Sequence, residues 1–144
     1  MEINTTSAAI SLAKKLEADG ARFYEVLSQR YPTGKDIFLN FAKENTKNII
    51  QIDRTYYGVI TDALEGCFAF NINPDEYMLI TELPEEAAFS EALDKAVEIE
   101  KKMIQFYSDA AEQSKSLMAD IPRAFMSIVK KRGGREQKLR SLLA

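Results

Sequence analysis

A short pattern occurs twice in the chain, 83 positions apart. Ala13, Glu17, Phe23 and Tyr24 correspond to Ala96, Glu100, Phe106 and Tyr107. Each copy reads Glu, five residues, Phe-Tyr, and each precedes a second helical stretch. Two related helical hairpins joined by a long link predict a pseudo-twofold four-helix bundle.

Hydrophobic spacing supports this. Behind the capping residues Thr5, Thr6 and Ser7, the positions Ile10, Ala13, Glu17, Gly20, Tyr24 and Leu27 step by three and four. That is one face of a helix, here A, running to about Gln29. Tyr31 to Gly34 is a break. Helix B starts near Lys35, carries Phe38, Phe41, Asn45, Asn48 and Ile52 on one stripe, and extends toward Ile60. Helix C, with Ser90 as its expected cap, carries Ala96, Glu100, Met103, Tyr107 and Ala110. Helix D has Pro122 in its first turn, then Phe125, Ile128, Arg132, Arg135, Leu139 and Leu142. Residues 64–84 are too long for a tight turn and read as a crossover, with a helical turn expected at Tyr77–Ile80. No segment sustains a period of two. The expected class is all-α, one domain spanning residues 1–144.

Composition narrows the chemistry. The chain has no His and one Cys, Cys67. No internal disulfide, CxxC metal site or His-activated nucleophile is available. A net charge of −3 argues against a nucleic-acid surface. The first residues lack a signal-peptide pattern, and no run approaches the ~18 apolar residues of a membrane span. The expected setting is cytoplasmic, away from membranes.

Each helical stripe carries polar residues where the period demands core: Glu17 on A, Asn45 and Asn48 on B, Glu100 on C, Arg132 and Arg135 on D. Either they sit at stripe edges and reach water, or they form one buried layer. If buried, they must pair. Two Glu and two Arg sum to zero charge, whereas isolating one such charge costs several kcal/mol. A closed Glu–Arg network with two Asn amides satisfies that condition, and the Arg fork can grip a carboxylate with two bonds.

These residues resemble the rubrerythrin-like branch of the ferritin-like superfamily over nearly the whole chain. The resemblance rests on Leu16-Glu17 followed by Phe23-Tyr24, on Ile37 to Ala42, on Ile99-Glu100-Lys101 followed by Phe106-Tyr107, and on the B–C crossover. It implies a ferritin-like four-helix bundle, often dimeric, holding two irons that react with peroxide or oxygen. In that family the ligands are a Glu on A, Glu-x-x-His on B, a Glu on C and Glu-x-x-His on D. Glu17 and Glu100 match the A and C ligands. Asn45 and Asn48 replace the B Glu and His, and Arg132 and Arg135 replace the D Glu and His. Met103 stands where peroxidase-type members carry a further carboxylate, and no rubredoxin-like four-Cys stretch is present.

These departures strike the metal chemistry directly. A di-iron site needs carboxylates to offset at least four positive charges and nitrogen donors to complete each ion. Arg offers no lone pair to a metal. Arginine and iron are alternative occupants of one space. The expectation is a bundle with no metal ligands and no cofactor, acting as a non-catalytic structural, interaction or regulatory homodimer. Two other functions stay open on the sequence: a di-iron oxidoreductase with an atypical ligand set, and a module binding a small anion between the two Arg.

Other features have competing readings. Tyr24 and Tyr107 are expected as core aromatics whose hydroxyls reach the polar layer, rather than redox neighbours of a metal. Lys130 to Arg135 matches no Gly-rich phosphate motif. Its Gly133-Gly134 pair either breaks helix D or permits close packing. A break would swing Arg135 out of the stripe. Cys67 is expected as a buried, inert thiol. The apolar stretches Cys67–Phe70 and Tyr77–Ile80 either close one end of the bundle or form a dimer contact.

Overall fold

The computed structural model describes residues 2–59, 68–116 and 119–143. Helices dominate, with one small two-stranded sheet. Strand β1 (Ile3–Thr5) runs directly into α1 (Thr6–Arg30). Thr5 caps the helix by accepting at its Oγ1 from the Ala8 amide at 3.2 Å. Tyr31, held extended before Pro32, ends α1. A single 3-10 turn, Pro32–Gly34, then leads into α2 (Lys35–Val59). Both spans fall close to those expected for helices A and B.

The crossover differs from expectation in two respects. Phe68–Ile72 forms β2, paired antiparallel with β1 through Ile3 with Ile72 and Thr5 with Phe68. Ile3 and Ile72 are both buried. A three-residue strand offers too few positions for a period of two to register. The helical turn expected at Tyr77–Ile80 lies earlier, as a 3-10 turn at Pro74–Tyr77. Asn73 starts it by accepting from the Asp75 amide at 3.1 Å, and Pro74 supplies the preset first φ. Tyr77 is buried and donates to Asp109, while Met78 and Ile80 face outward. The Tyr77–Ile80 stretch is therefore split between covering the core and facing solvent. Cys67 lies outside the described residues.

Helix α3 (Phe89–Gln113) begins behind Ala88, with no side-chain cap. Ser90, the expected cap, lies inside the first turn instead, because the extended backbone ends two residues earlier, at Ala88. Helix D is two helices, α4 (Asp120–Arg132) and α5 (Arg135–Ser141), separated at Gly133-Gly134. Pro122 stands in the first turn of α4, where its missing N–H costs nothing.

The strongest packing pairs α1 with α2 and α3 with α4, giving two hairpins that meet through α2–α4 and α1–α3 contacts. The apolar core is continuous across all four long helices. Two aromatic groups repeat the sequence pattern in space. The Tyr24 ring centre lies 5.5 Å from that of Phe23 and 5.2 Å from that of Phe41. The Tyr107 ring lies 5.2 Å from Phe106 and 5.8 Å from Phe125. These rings wall in the polar layer.

Candidate functional site: a buried charge cluster

The six polar stripe residues converge. Glu17, Asn45, Asn48, Glu100, Arg132 and Arg135 are each at most 3% exposed. None reaches water along a stripe edge, and the buried-layer alternative holds. Long helices bring them to one level because their stripes share the three-and-four spacing.

Arg132 is the hub. Its Nη2 donates to Glu17 Oε1 at 2.5 Å and its Nη1 to Glu100 Oε1 at 2.7 Å. One guanidinium thus bridges the first and third helices. The same Nη2 lies 3.3 Å from Asn45 Oδ1. Arg135 donates to Glu100 Oε2 at 3.1 Å and to the Phe41 carbonyl at 3.4 Å. Its guanidinium carbon also lies 4.6 Å from the Phe41 ring centre. Helix D is broken, yet Arg135 does not leave the cluster. Gly133 (φ −57°, ψ −23°) and Gly134 (φ −94°, ψ −5°) both hold helical dihedrals, so the inward face carries across the break.

The tyrosines cross over. Tyr24 on α1 donates to Glu100 on α3, and Tyr107 on α3 donates to Glu17 on α1, each at 2.6 Å. The sequence repeat thus reappears as a reciprocal exchange of hydrogen bonds. Both hydroxyls reach the polar layer from the aromatic core, as expected. All four carboxylate oxygens have donors. Asn48 Nδ2 adds only long contacts of 3.4 and 3.5 Å to Glu17, while Asn45 Nδ2 donates to the Glu17 carbonyl at 3.2 Å. Among the described residues, Arg132 Nε and Arg135 Nε are buried without a partner.

Electrostatics follow the geometry. Burial alone would raise the Glu100 carboxyl, but Arg132, Arg135 and the Tyr24 bond outweigh it and hold it below its ordinary value. Burial opposes the charge on Arg132, yet Glu100 and Glu17 together push its pKa upward. Burial, and then the facing carboxylate, push the Tyr24 and Tyr107 phenols well up. Glu100 and Arg132 are therefore charged, and the two phenols protonated, near neutral pH. The formal charges of the two Glu and two Arg sum to zero.

One contact escapes the stripe pattern. Glu44, half-exposed, lies 3.7 Å from Arg135 and links the cluster to the surface. Its position beside Asn45 is the only sequence hint. Gly20 makes room for Asn45, since an added Cβ there would lie 2.8 Å from Asn45 Nδ2.

The residues present do not fit a pair of irons. Glu17 and Glu100 already accept from Arg132 and from a tyrosine, and Asn45 Oδ1 faces Arg132. A cation placed among these carboxylates would meet two guanidiniums. Among the described residues, no group of three or more His, Cys, Asp or Glu is placed to hold a metal ion. No helix among them is long and apolar enough to cross a membrane. Compared with known proteins, the chain matches no family model, no curated protein and no solved structure, so the geometry of the cluster carries the functional argument.

Proposed function

We propose that this chain is a ferritin-like four-helix bundle of the rubrerythrin type in which a salt-bridged cluster occupies the metal positions. It works without redox chemistry, as a structural, interaction or regulatory protein that pairs with a second copy. The observation that carries this reading is Arg132, 1% exposed, bridging Glu17 and Glu100 at 2.5 and 2.7 Å. A fixed guanidinium supplies the positive charge that two buried carboxylates require, and it supplies no redox centre. The exposed apolar side chains Val26, Met78 and Ile80 support self-association through the crossover side.

The test is metal analysis of protein expressed with ample iron. Iron well below one ion per chain, with no peroxide turnover, is expected. Near two ions per chain would overturn the proposal. The reverse experiment restores the ligands with Asn45→Glu, Asn48→His, Arg132→Glu and Arg135→His together. The restored chain is expected to take up iron and gain an oxo-bridged absorption band.

A further inference from the structure

A hollow of about 330 Å3 opens where α2 meets α5. Lys43 and Lys47, one helical turn apart on α2, line it, and Lys138 lines it from α5. Among the described residues, none of these three ammonium groups has a carboxylate within 4.0 Å. Glu44 is the only carboxylate among the described residues that line the hollow. Three cations less one anion leave a formal charge of +2, in a chain whose net charge is −3.

The buried cluster reinforces that charge. Arg135 Nη2 lies 3.7 Å from Glu44 and donates to the Phe41 carbonyl at 3.4 Å. Phe41 and Glu44 both line the hollow, so Arg135 stands behind that wall. Its guanidinium is 3% exposed, and its Nε has no partner among the described residues. It draws on Glu44 and offsets the one negative charge that faces the hollow. The larger hollow of about 380 Å3, where α2 meets α4, is less charged. Arg54 and Arg123 line it with Asp120, which is already 3.3 Å from Arg123, so two cations less one anion leave only +1.

We infer that the hollow between α2 and α5 binds a small phosphomonoester, its head among Lys43, Lys47 and Lys138 and its carbon body against Ile37. Such a head carries a charge of about −1.5 to −2 near neutral pH, which answers the +2 of the lining. Lysine meets a phosphate as a compact point charge, whereas a planar carboxylate is gripped best by an arginine fork, and no arginine lines this hollow. The volume suits a small molecule. The site is separate from the space between Arg132 and Arg135, which Glu100 fills by accepting from both. The inference therefore does not depend on the absence of metal from the cluster.

The test is titration calorimetry of the full chain with phenyl phosphate, with succinate as a dicarboxylate of similar charge. Saturable binding of a single phenyl phosphate per chain is expected, with succinate clearly weaker. Lys47→Gln with Lys138→Gln should weaken phenyl phosphate by about tenfold or more, through loss of charge-assisted contacts. Glu44→Gln should tighten it several-fold by removing the one opposing carboxylate. Arg54→Gln with Arg123→Gln removes as much charge from the other hollow and should leave the affinity unchanged. Absence of saturable binding would overturn the inference, as would equal weakening by the lysine and arginine pairs, which would mean attraction to net charge alone. Succinate binding as tightly as phenyl phosphate would overturn the phosphate assignment. Binding to phosphatidic acid vesicles but not to phenyl phosphate would assign the hollow to a lipid headgroup and overturn the free small molecule.

Discussion

Arg135 stands beyond the break in the last helical segment and still donates to Glu100 at 3.1 Å. The two glycines before it keep helical dihedrals, so Arg132 and Arg135 remain one turn apart on the same side. Glu100 thereby receives two guanidiniums, whereas Glu17 receives one.

Removing the hub should be severe. Arg132→Met leaves two buried carboxylates short of their counter-charge, and a loss of ~3–5 kcal/mol in urea unfolding is expected. Adding Glu17→Gln alone to the same chain leaves Arg135 paired with Glu100 and should restore most of that loss. Failure of the double variant to recover would mean that Arg132 acts mainly through packing.

The tyrosine exchange predicts an asymmetry. Each phenol-to-carboxylate bond is worth about 1.5–3 kcal/mol by the general strength of charged hydrogen bonds. Tyr24→Phe leaves Glu100 with two arginine donors. Tyr107→Phe leaves Glu17 Oε2 with only the 3.5 Å contact to Asn48. Tyr107→Phe should therefore be the more destabilising of the two in denaturant titrations, even though their ring surroundings match.

The pH profile follows from the signs of the shifts. Glu100 is held below its ordinary 4.5, so the folded state binds its proton less tightly than the unfolded chain does. Its contribution is complete above that value and is lost as pH falls through the lower folded one. Tyr24 and Tyr107 are raised above 10.0, so their contribution is complete below pH 10 and is lost as pH rises further. Stability should be flat across neutral pH and fall at both extremes. Glu100→Gln should flatten the acid limb, and Tyr24→Phe with Tyr107→Phe the alkaline limb, in melting midpoints recorded against pH.

Two glycines should respond in opposite directions to alanine. Gly134 has helical dihedrals and nothing within 4 Å of an added Cβ. Gly134→Ala should stabilise by about 0.4–1 kcal/mol through the unfolded state. Gly20→Ala would press on Asn45 inside the closed cluster and should cost about 1–3 kcal/mol. Equal effects at the two sites in urea melts would show that Asn45 moves aside freely.

The long helices and the six cluster residues were legible because stripes at helical spacing dictate which side chains face inward, and buried charges must find partners. Arg135 was harder to place, since glycines usually mark a change of direction and here do not turn the chain. Glu44 carries no stripe signal, being a surface residue that reaches a buried one. The Ala88 cap was illegible because Ala88 has no capping side chain and depends on backbone direction alone. The β1–β2 pairing is a long-range contact between two short segments, and local pattern holds no record of it.

That pairing also constrains the order of assembly. Joining Ile3 to Ile72 encloses the entire α1–α2 hairpin in one closed circuit of chain. The hairpin can form from near neighbours, but the circuit must wait for a distant segment to arrive, and such contacts are the slow ones. The amino-terminal strand is thus a latch that closes after the two helices it brackets have already found their places.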